Sequence, residues 1–396
     1  MLMILFYLPS CKKTVIEQIT QQIIGDTSSV KLPMYVITSY GAKGDGKTDC
    51  SAIINNIINN LPASGGTILI PEGEFLLNSP INVSKNFVTI MGLNPGLRSN
   101  VDVASSTLTN PGGGSKLILG TATAGINVPT LPDVNGKKNR ISGLIIKDLL
   151  ISGGVTSHGT GINILQDNDG TRIVNFVGIN LATGIYVNAA DAMIIKSCWV
   201  SECKNSIYLN NGIQNTVSSC QLGAQPGGIT LKLDNQQNFN ITGNQIYPDG
   251  DADLQVNSST YGNISANNFQ SYYLGMVELN NSSYNLLSSN IFWFRLQGSA
   301  TTQLRGQQGD YGVIRVAGDQ NLISSSTITC DWASAITDPV TIRSLSGTNN
   351  SYQSLKITNT SSSRVFYVNE GNEIFNCVPA SKVLVDGDPT KVTIKY

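Results

Sequence analysis

The sequence predicts an all-β protein, a right-handed parallel β-helix (solenoid) with a short N-terminal capping helix. Three observations lead there. A nine-residue pattern recurs about every 23 residues, and a second short strand recurs at the same interval. The composition is the third: 39 glycines, abundant Asn, Ser and Thr, and only 13% charged residues suit tight turns better than charged helices.

The first repeat reads AMIIKSCWV (192–200), QNTVSSCQL (214–222), NFNITGNQI (238–246), YGNISANNF (261–269), YNLLSSNIF (284–292) and QNLISSSTI (320–328). Its leading apolar residue falls at Ile195, Val217, Ile241, Ile264, Leu287 and Ile323, in steps of 22, 24, 23, 23 and 36. The second strand reads GIYVN, SIYLN, ITLKLD, DLQVN, MVELN and VIRVA. Its last apolar residue, at Val187, Leu209, Leu233, Val256, Leu279 and Val316, keeps the same register. Alternating strands wound at one fixed interval describe stacked coils, each pairing with the next at ~4.8 Å and burying its inward residues in a shared column. Cys198, Cys220, Asn244, Asn267, Asn290 and Ser326 share one position of the column, where side-chain amides can bond from coil to coil. Cys198 and Cys220 are expected there as buried free thiols.

Upstream, residues 39–77 read as loop, helix, turn and strand. Ile53, Ile54, Ile57, Ile58 and Leu61 line one helical face, with Asp49 or Thr48 as N-cap, and such a helix would cover the open end of the column. The stretch SYGAKGDGKTD (39–49) resembles the entrance motif of the pectate-lyase-like β-helix superfamily. One β-helix domain over 31–396 is expected, with a cap region about 36–90, long Gly- and Pro-broken loops between 93 and 139, and coils about 135–390. Residues 1–30 read as a signal and tether. MLMILFYLPSCKK places LPSC, a lipobox-like sequence, at Cys11, so the expectation is an exported bacterial lipoprotein of the cell envelope or periplasm, lipidated at Cys11 and touching membrane only through that anchor. The alternative is a mis-assigned start codon before an ordinary tail.

Net charge is −1, which leaves no field to hold nucleic acid. His158 is the only histidine, so Ser-His-Asp, Cys-His and multi-histidine zinc chemistry fall away, and acid-base work is left to carboxylates, Tyr, Lys or Arg. Neither DNDG (167–170) nor DGDAD (249–253) continues as a calcium loop, and both read as turns. No metal and no cofactor is expected.

Function on a solenoid must come from outward positions and loops. On the second strand Tyr186, Tyr208, Lys232, Gln255, Glu278 and Arg315 form an outward row, and the insertion 295–310 adds Arg305 and Asp310 beside it. Such a row can stack sugar rings and bond their hydroxyls; the alternative is a solvated sheet face. Asp234 follows the last inward residue of its strand, the place held by Asn188, Asn210, Asn257 and Asn280, and reads as turn-forming.

In order and in register, TGIN and QDND (within 160–169), NAADAMIIKS (188–197), GAQPGGITLKLDN (223–235), ITGNQIYPDG (241–250), YYLGMVELNN (272–281) and YGVIRVAGDQNLIS (311–324) resemble the inulin fructotransferase (difructose-anhydride-forming) family. The resemblance implies a fructan substrate cleaved by paired carboxylates, and a homotrimer with sites between subunits. That family's pattern has an Asp in a GPDG that here reads QPGG, with Gly227 at the position, and a Glu further on where this chain holds Asp234, Gln236 and Gln237. Asp234 and Glu278 are therefore the candidate catalytic carboxylates, with Asp310, Asp251 and Asp253 as further acidic candidates. Tyr186, Tyr208, Lys232, Gln255, Asp310 and Arg315 are the candidate substrate-binding residues. Two other readings stand beside this one: a catalytically degenerate glycan-binding β-helix, and another β-helix polysaccharide hydrolase or lyase.

Overall fold

In the computed structural model, residues 33–96, 114–154, 158–295, 312–331, 340–359, 364–377 and 383–395 are described. They wind as a right-handed parallel β-helix whose coils supply three parallel sheets of 14, 12 and 14 strands. In the central coils the chain passes through the first, second and third sheet in turn. Asn240–Thr242, Gln245–Ile246 and Ala252–Asn257 are one such passage.

The repeat becomes register. On the third sheet Val187 pairs with Leu209, Leu209 with Leu233, Leu233 with Val256, Val256 with Leu279 and Leu279 with Val316. On the first sheet Ile195, Val217, Ile241, Ile264, Leu287 and Ile323 stack likewise. All are essentially inaccessible to solvent, and each contributes about 1.5–3 kcal/mol of burial. The long step before Ile323 and Val316 leaves this register intact. The chain between, residues 296–311, lies outside the described residues, as do Asp310, Arg305 and Cys11.

Corners of the coil explain the small and amide residues. Ser197, Ser219, Gly243, Ala266, Ser289 and Ser325 take positive φ where the chain leaves the first sheet. At the next position Asn267 Oδ1 accepts the Asn244 backbone N–H at 3.0 Å, and Asn290 Oδ1 accepts that of Asn267 at 2.9 Å. Buried backbone groups at the bend are thereby satisfied. Cys198 and Cys220 hold the same place as free, buried thiols. A second amide ladder, Asn285, Asn321, Asn350 and Asn372, runs along the corner leading into the first sheet.

The helix α1 (Ser51–Asn59) buries Ile54, Ile57 and Ile58 against the end of the column. Its cap is displaced from the expectation: Cys50 occupies the N-cap without a side-chain cap bond, and Asp49 instead accepts the Ser51 N–H at 3.0 Å. Strands begin earlier than the periodicity suggests. Met34–Val36 pairs with Gly66–Ile70, which pairs with Val88–Gly92, so the capping region already supplies rungs. Ser115–Leu119 and Ala124–Val128 are further strands inside the stretch expected as loops.

Candidate functional site

The outward row of the third sheet is continuous. Asn82, Asn127, Asn163, Tyr186, Tyr208, Lys232, Gln255, Glu278, Arg315, Arg343 and Tyr367 are in register from coil to coil. Parallel in-register strands put every second side chain on this outer face, so residues distant in sequence become neighbours. Two positions further along the strands, Asn188, Asn210, Asp234, Asn257 and Asn280 form a second row.

Asp234 is not the turn residue that its alignment with asparagines suggests. It lies within the strand Ile229–Gln237, and the left-handed conformation is taken one residue later, by Asn235 at φ 52°. Ala189, Asn211, Ser258 and Asn281 do the same in neighbouring coils. Asp234 is thereby left with its side chain on the outer face, in the middle of a cluster. It accepts hydrogen bonds from the Tyr208 hydroxyl at 2.6 Å and from Asn257 Nδ2 at 2.5 Å, and Lys232 Nζ lies 3.1 Å from Oδ2. Burial pushes its carboxyl upward, but the bonds from Asn257, Tyr208 and Lys232 outweigh it and hold the group below the usual carboxylate range. Tyr208 moves the opposite way, pushed up by burial and then by its bond to the Asp234 carboxylate.

The cluster continues without a break. Asn257 Nδ2 reaches Gln255 Oε1 at 3.4 Å, Gln255 Nε2 donates to Glu278 Oε2 at 2.8 Å, and Arg315 Nη1 meets Glu278 Oε1 at 2.8 Å. Glu278 is almost fully buried and Arg315 mostly so, whereas Lys232 keeps about a third of its side chain in solvent. Asp234 and Glu278 are two rungs apart, on the order of 10 Å along the axis, with the Gln255 and Asn257 amides between them. The face is charge-balanced over these coils, each cation paired with one carboxylate. Lys232 also lies over the Tyr208 ring, 4.5 Å from its centroid, while Tyr186 meets Tyr208 edge-on with centroids 5.1 Å apart. One Tyr208 face is thus occupied by the Lys232 ammonium.

A second polar group sits where the chain enters the third sheet, around QPGG. Glu202, at a bulge with φ 55°, accepts a hydrogen bond from Gln225 Nε2. Its carboxyl is pushed up by burial and then by Asp249, itself pushed up by burial. Gly227 takes φ 82°, its N–H donates to Asp251 Oδ1 at 2.7 Å, and a Cβ there would stand 2.5 Å from Lys204 Nζ. Glu202 escapes a periodicity argument because it lies on an irregular connection; the bulge, not the repeat, orients it. Asp253 is fully buried and so is removed from this rim. Among the described residues no group of three or more His, Cys, Asp or Glu side chains is placed to hold a metal ion.

Comparison with known proteins places the chain structurally. The family described as Rhamnogalacturonase A/epimerase, pectate lyase-like matches residues 35–113, and that described as Periplasmic copper-binding protein (NosD) matches residues 134–298. No curated protein matches the sequence. Among solved structures, a DFA-IIIase from Arthrobacter chlorophenolicus A6 without its lid, in complex with GF2, superposes with a TM-score of 0.78 at 21% identity, covering 92% of this chain and 98% of that one. A cysteine-to-alanine variant of the same enzyme in complex with DFA-III superposes at 0.77 and 20% identity, covering 91% and 98%. At this identity the likeness establishes a shared β-helix fold.

Proposed function

We propose that this chain is a fructan-active carbohydrate enzyme, acting on fructosyl linkages of inulin-type oligosaccharides or difructose anhydride at the outer face of the third sheet. The observation that carries it is the unbroken, charge-balanced ladder from Tyr208 through Asp234, Asn257, Gln255 and Glu278 to Arg315. Such a strip offers many fixed donors and acceptors without net charge, which suits a neutral polyhydroxyl and disfavours a uronate. Superposition over more than nine-tenths of the chain on enzymes crystallised with GF2 and DFA-III supports the substrate class.

In this reading Asp234 and Glu278 are the acid-base carboxylates. Asp234, held ionised, faces the positive charge that develops at the anomeric carbon as the glycosidic bond loosens, and Glu278 is its partner across the amide bridge. Lys232, Gln255 and Arg315 fix the carboxylates and bind hydroxyls, and Tyr186 packs on a ring; Asp310 is a further proposed substrate-binding residue. A homotrimer, export to the cell envelope or periplasm, and lipidation at Cys11 complete the proposal; the match of residues 134–298 to a periplasmic family supports export.

Incubation of purified protein with inulin, GF2, levan and difructose anhydride, followed by separation of products, tests the reading. Fructose, shorter fructans or an anhydride are expected products. A second reading is favoured by Gly227, which stands where the fructotransferase pattern carries an Asp: a glycan-binding protein without turnover. Saturable GF2 binding with no product from any of the four would select it.

A further inference from the structure

The outward row does not end at the candidate site. Beyond Tyr186 it continues through Asn163 and Asn127 to Asn82, with Asn163 Nδ2 donating to Asn127 Oδ1 at 2.8 Å and Asn127 Nδ2 to Asn82 Oδ1 at 2.7 Å. Asparagine is a poor strand former, so three in register on an outer sheet face call for a reason. Inside the column the reason is plain, because each amide there receives a backbone N–H at a buried bend. The outer bonds of Asn127 and Asn163 run instead from amide to amide. In them each amide uses one N–H and retains a second, with acceptor capacity on its oxygen to match.

Charge and exposure differ along the row. Glu278 is buried and paired with Arg315, whereas Asn163 and Asn127 are half-buried and uncharged and Asn82, at the end of the row, is exposed. Leu165, next to the strand Thr160–Ile164, adds an exposed apolar side chain on this side. A linear neutral ligand seated at Asp234 can extend toward Asn82 over side chains without charge, whereas the other direction runs over the Glu278–Arg315 pair to Arg343 and Tyr367. The rungs are ~4.8 Å apart, comparable to one residue of an extended sugar chain, and none of Asn82, Asn127, Asn163 and Tyr186 carries a charge.

Resting on the proposed fructan activity and extending it, we infer that Asn82, Asn127 and Asn163 form a binding track for the distal part of a neutral oligosaccharide whose terminal residues occupy the face around Asp234. The track makes the protein length-selective: a short ligand fills the site alone, and a longer one also engages the amides.

Calorimetric titration of the full chain and of an N127A/N163A double variant, each with GF2 and with a longer inulin oligosaccharide, tests it. The wild type should bind the longer ligand about tenfold more tightly than GF2. The variant should lose that preference and keep its GF2 affinity, which also reports that it is folded. Equal affinities in the wild type, an undiminished preference in the variant, or an equal loss for both ligands would each overturn the track while leaving the fructan site standing. Wild-type protein that binds neither ligand would overturn the site and the track together.

Discussion

Replacing Asp234 by Asn removes a charge while keeping the shape, and the structure sets the size of two separate effects. The carboxylate takes a hydroxyl donor at 2.6 Å, an amide donor at 2.5 Å and an ammonium at 3.1 Å. An amide has one oxygen to offer them, and its own N–H₂ group must face at least one donor. Losing one charge-assisted bond should cost about 2 kcal/mol of folding stability. If Asp234 also opposes the charge developing in the reaction, kcat on an inulin oligosaccharide should fall about 10³-fold, ~4 kcal/mol of transition-state stabilisation. Denaturant unfolding and steady-state turnover, measured on the same preparation, separate the two. Stability lowered by the expected amount with kcat within about threefold of wild type would reduce Asp234 to a rung of the ladder and refute its catalytic role.

Tyr208→Phe should raise the Asp234 pKa, because it deletes one of the bonds that hold the carboxyl down. A depressed pKa stabilises the fold above the unfolded value and loses that contribution as pH falls through the folded one. The acid limb of kcat/KM, and the acid side of the stability profile, should therefore both shift to higher pH in this variant; an unmoved limb would mean that Asp234 does not govern it. Asn267→Ala should destabilise by about 3 kcal/mol, since the side chain is buried, accepts the Asn244 N–H and donates to the Ile241 carbonyl at 2.9 Å. A loss below ~1 kcal/mol in urea unfolding would show that the inner amides contribute little.

The solenoid is legible in the sequence because its determinant is periodic. Ile195, Val217 and Ile241 repeat at intervals that a coil must keep, and the stacked register follows directly. The outward row of the third sheet is legible for the same reason, since alternation fixes the face once the inward set is known. Corners are harder. A left-handed residue can be Ser, Ala, Asn or Gly, so the turn position falls one residue away from Asp234, at Asn235, and the ladder beginning at Asn285 is hidden because its earlier coils carry Phe239 and Gly262 instead. Gly262 is required there: a Cβ would lie 2.0 Å from Phe239 Cζ. Pairings such as Lys232 over Tyr208 depend on rotamers, which spacing cannot specify.

The two carboxylate groups of this molecule stand at opposite ends of the same strands, and that separation constrains any chemistry they do. From Gly228, on the side of Glu202 and Asp249, to Asp234 the strand runs six residues, roughly 20 Å. No single anomeric carbon can meet both groups within one chain. Their environments also pull apart, Asp234 held low by three donors, Glu202 and Asp249 held high by burial. A stabilising anion and a proton donor are what glycosyl cleavage requires, yet here they lie too far apart to cooperate on one face. Either Asp234 works with Glu278 across the amide bridge, or the two ends are brought together by a second copy of the chain. The first demands that D234N and Glu278→Gln impair a monomer equally; in the second, activity per chain would fall on dilution through the dissociation constant of the assembly, as for any site that two chains complete.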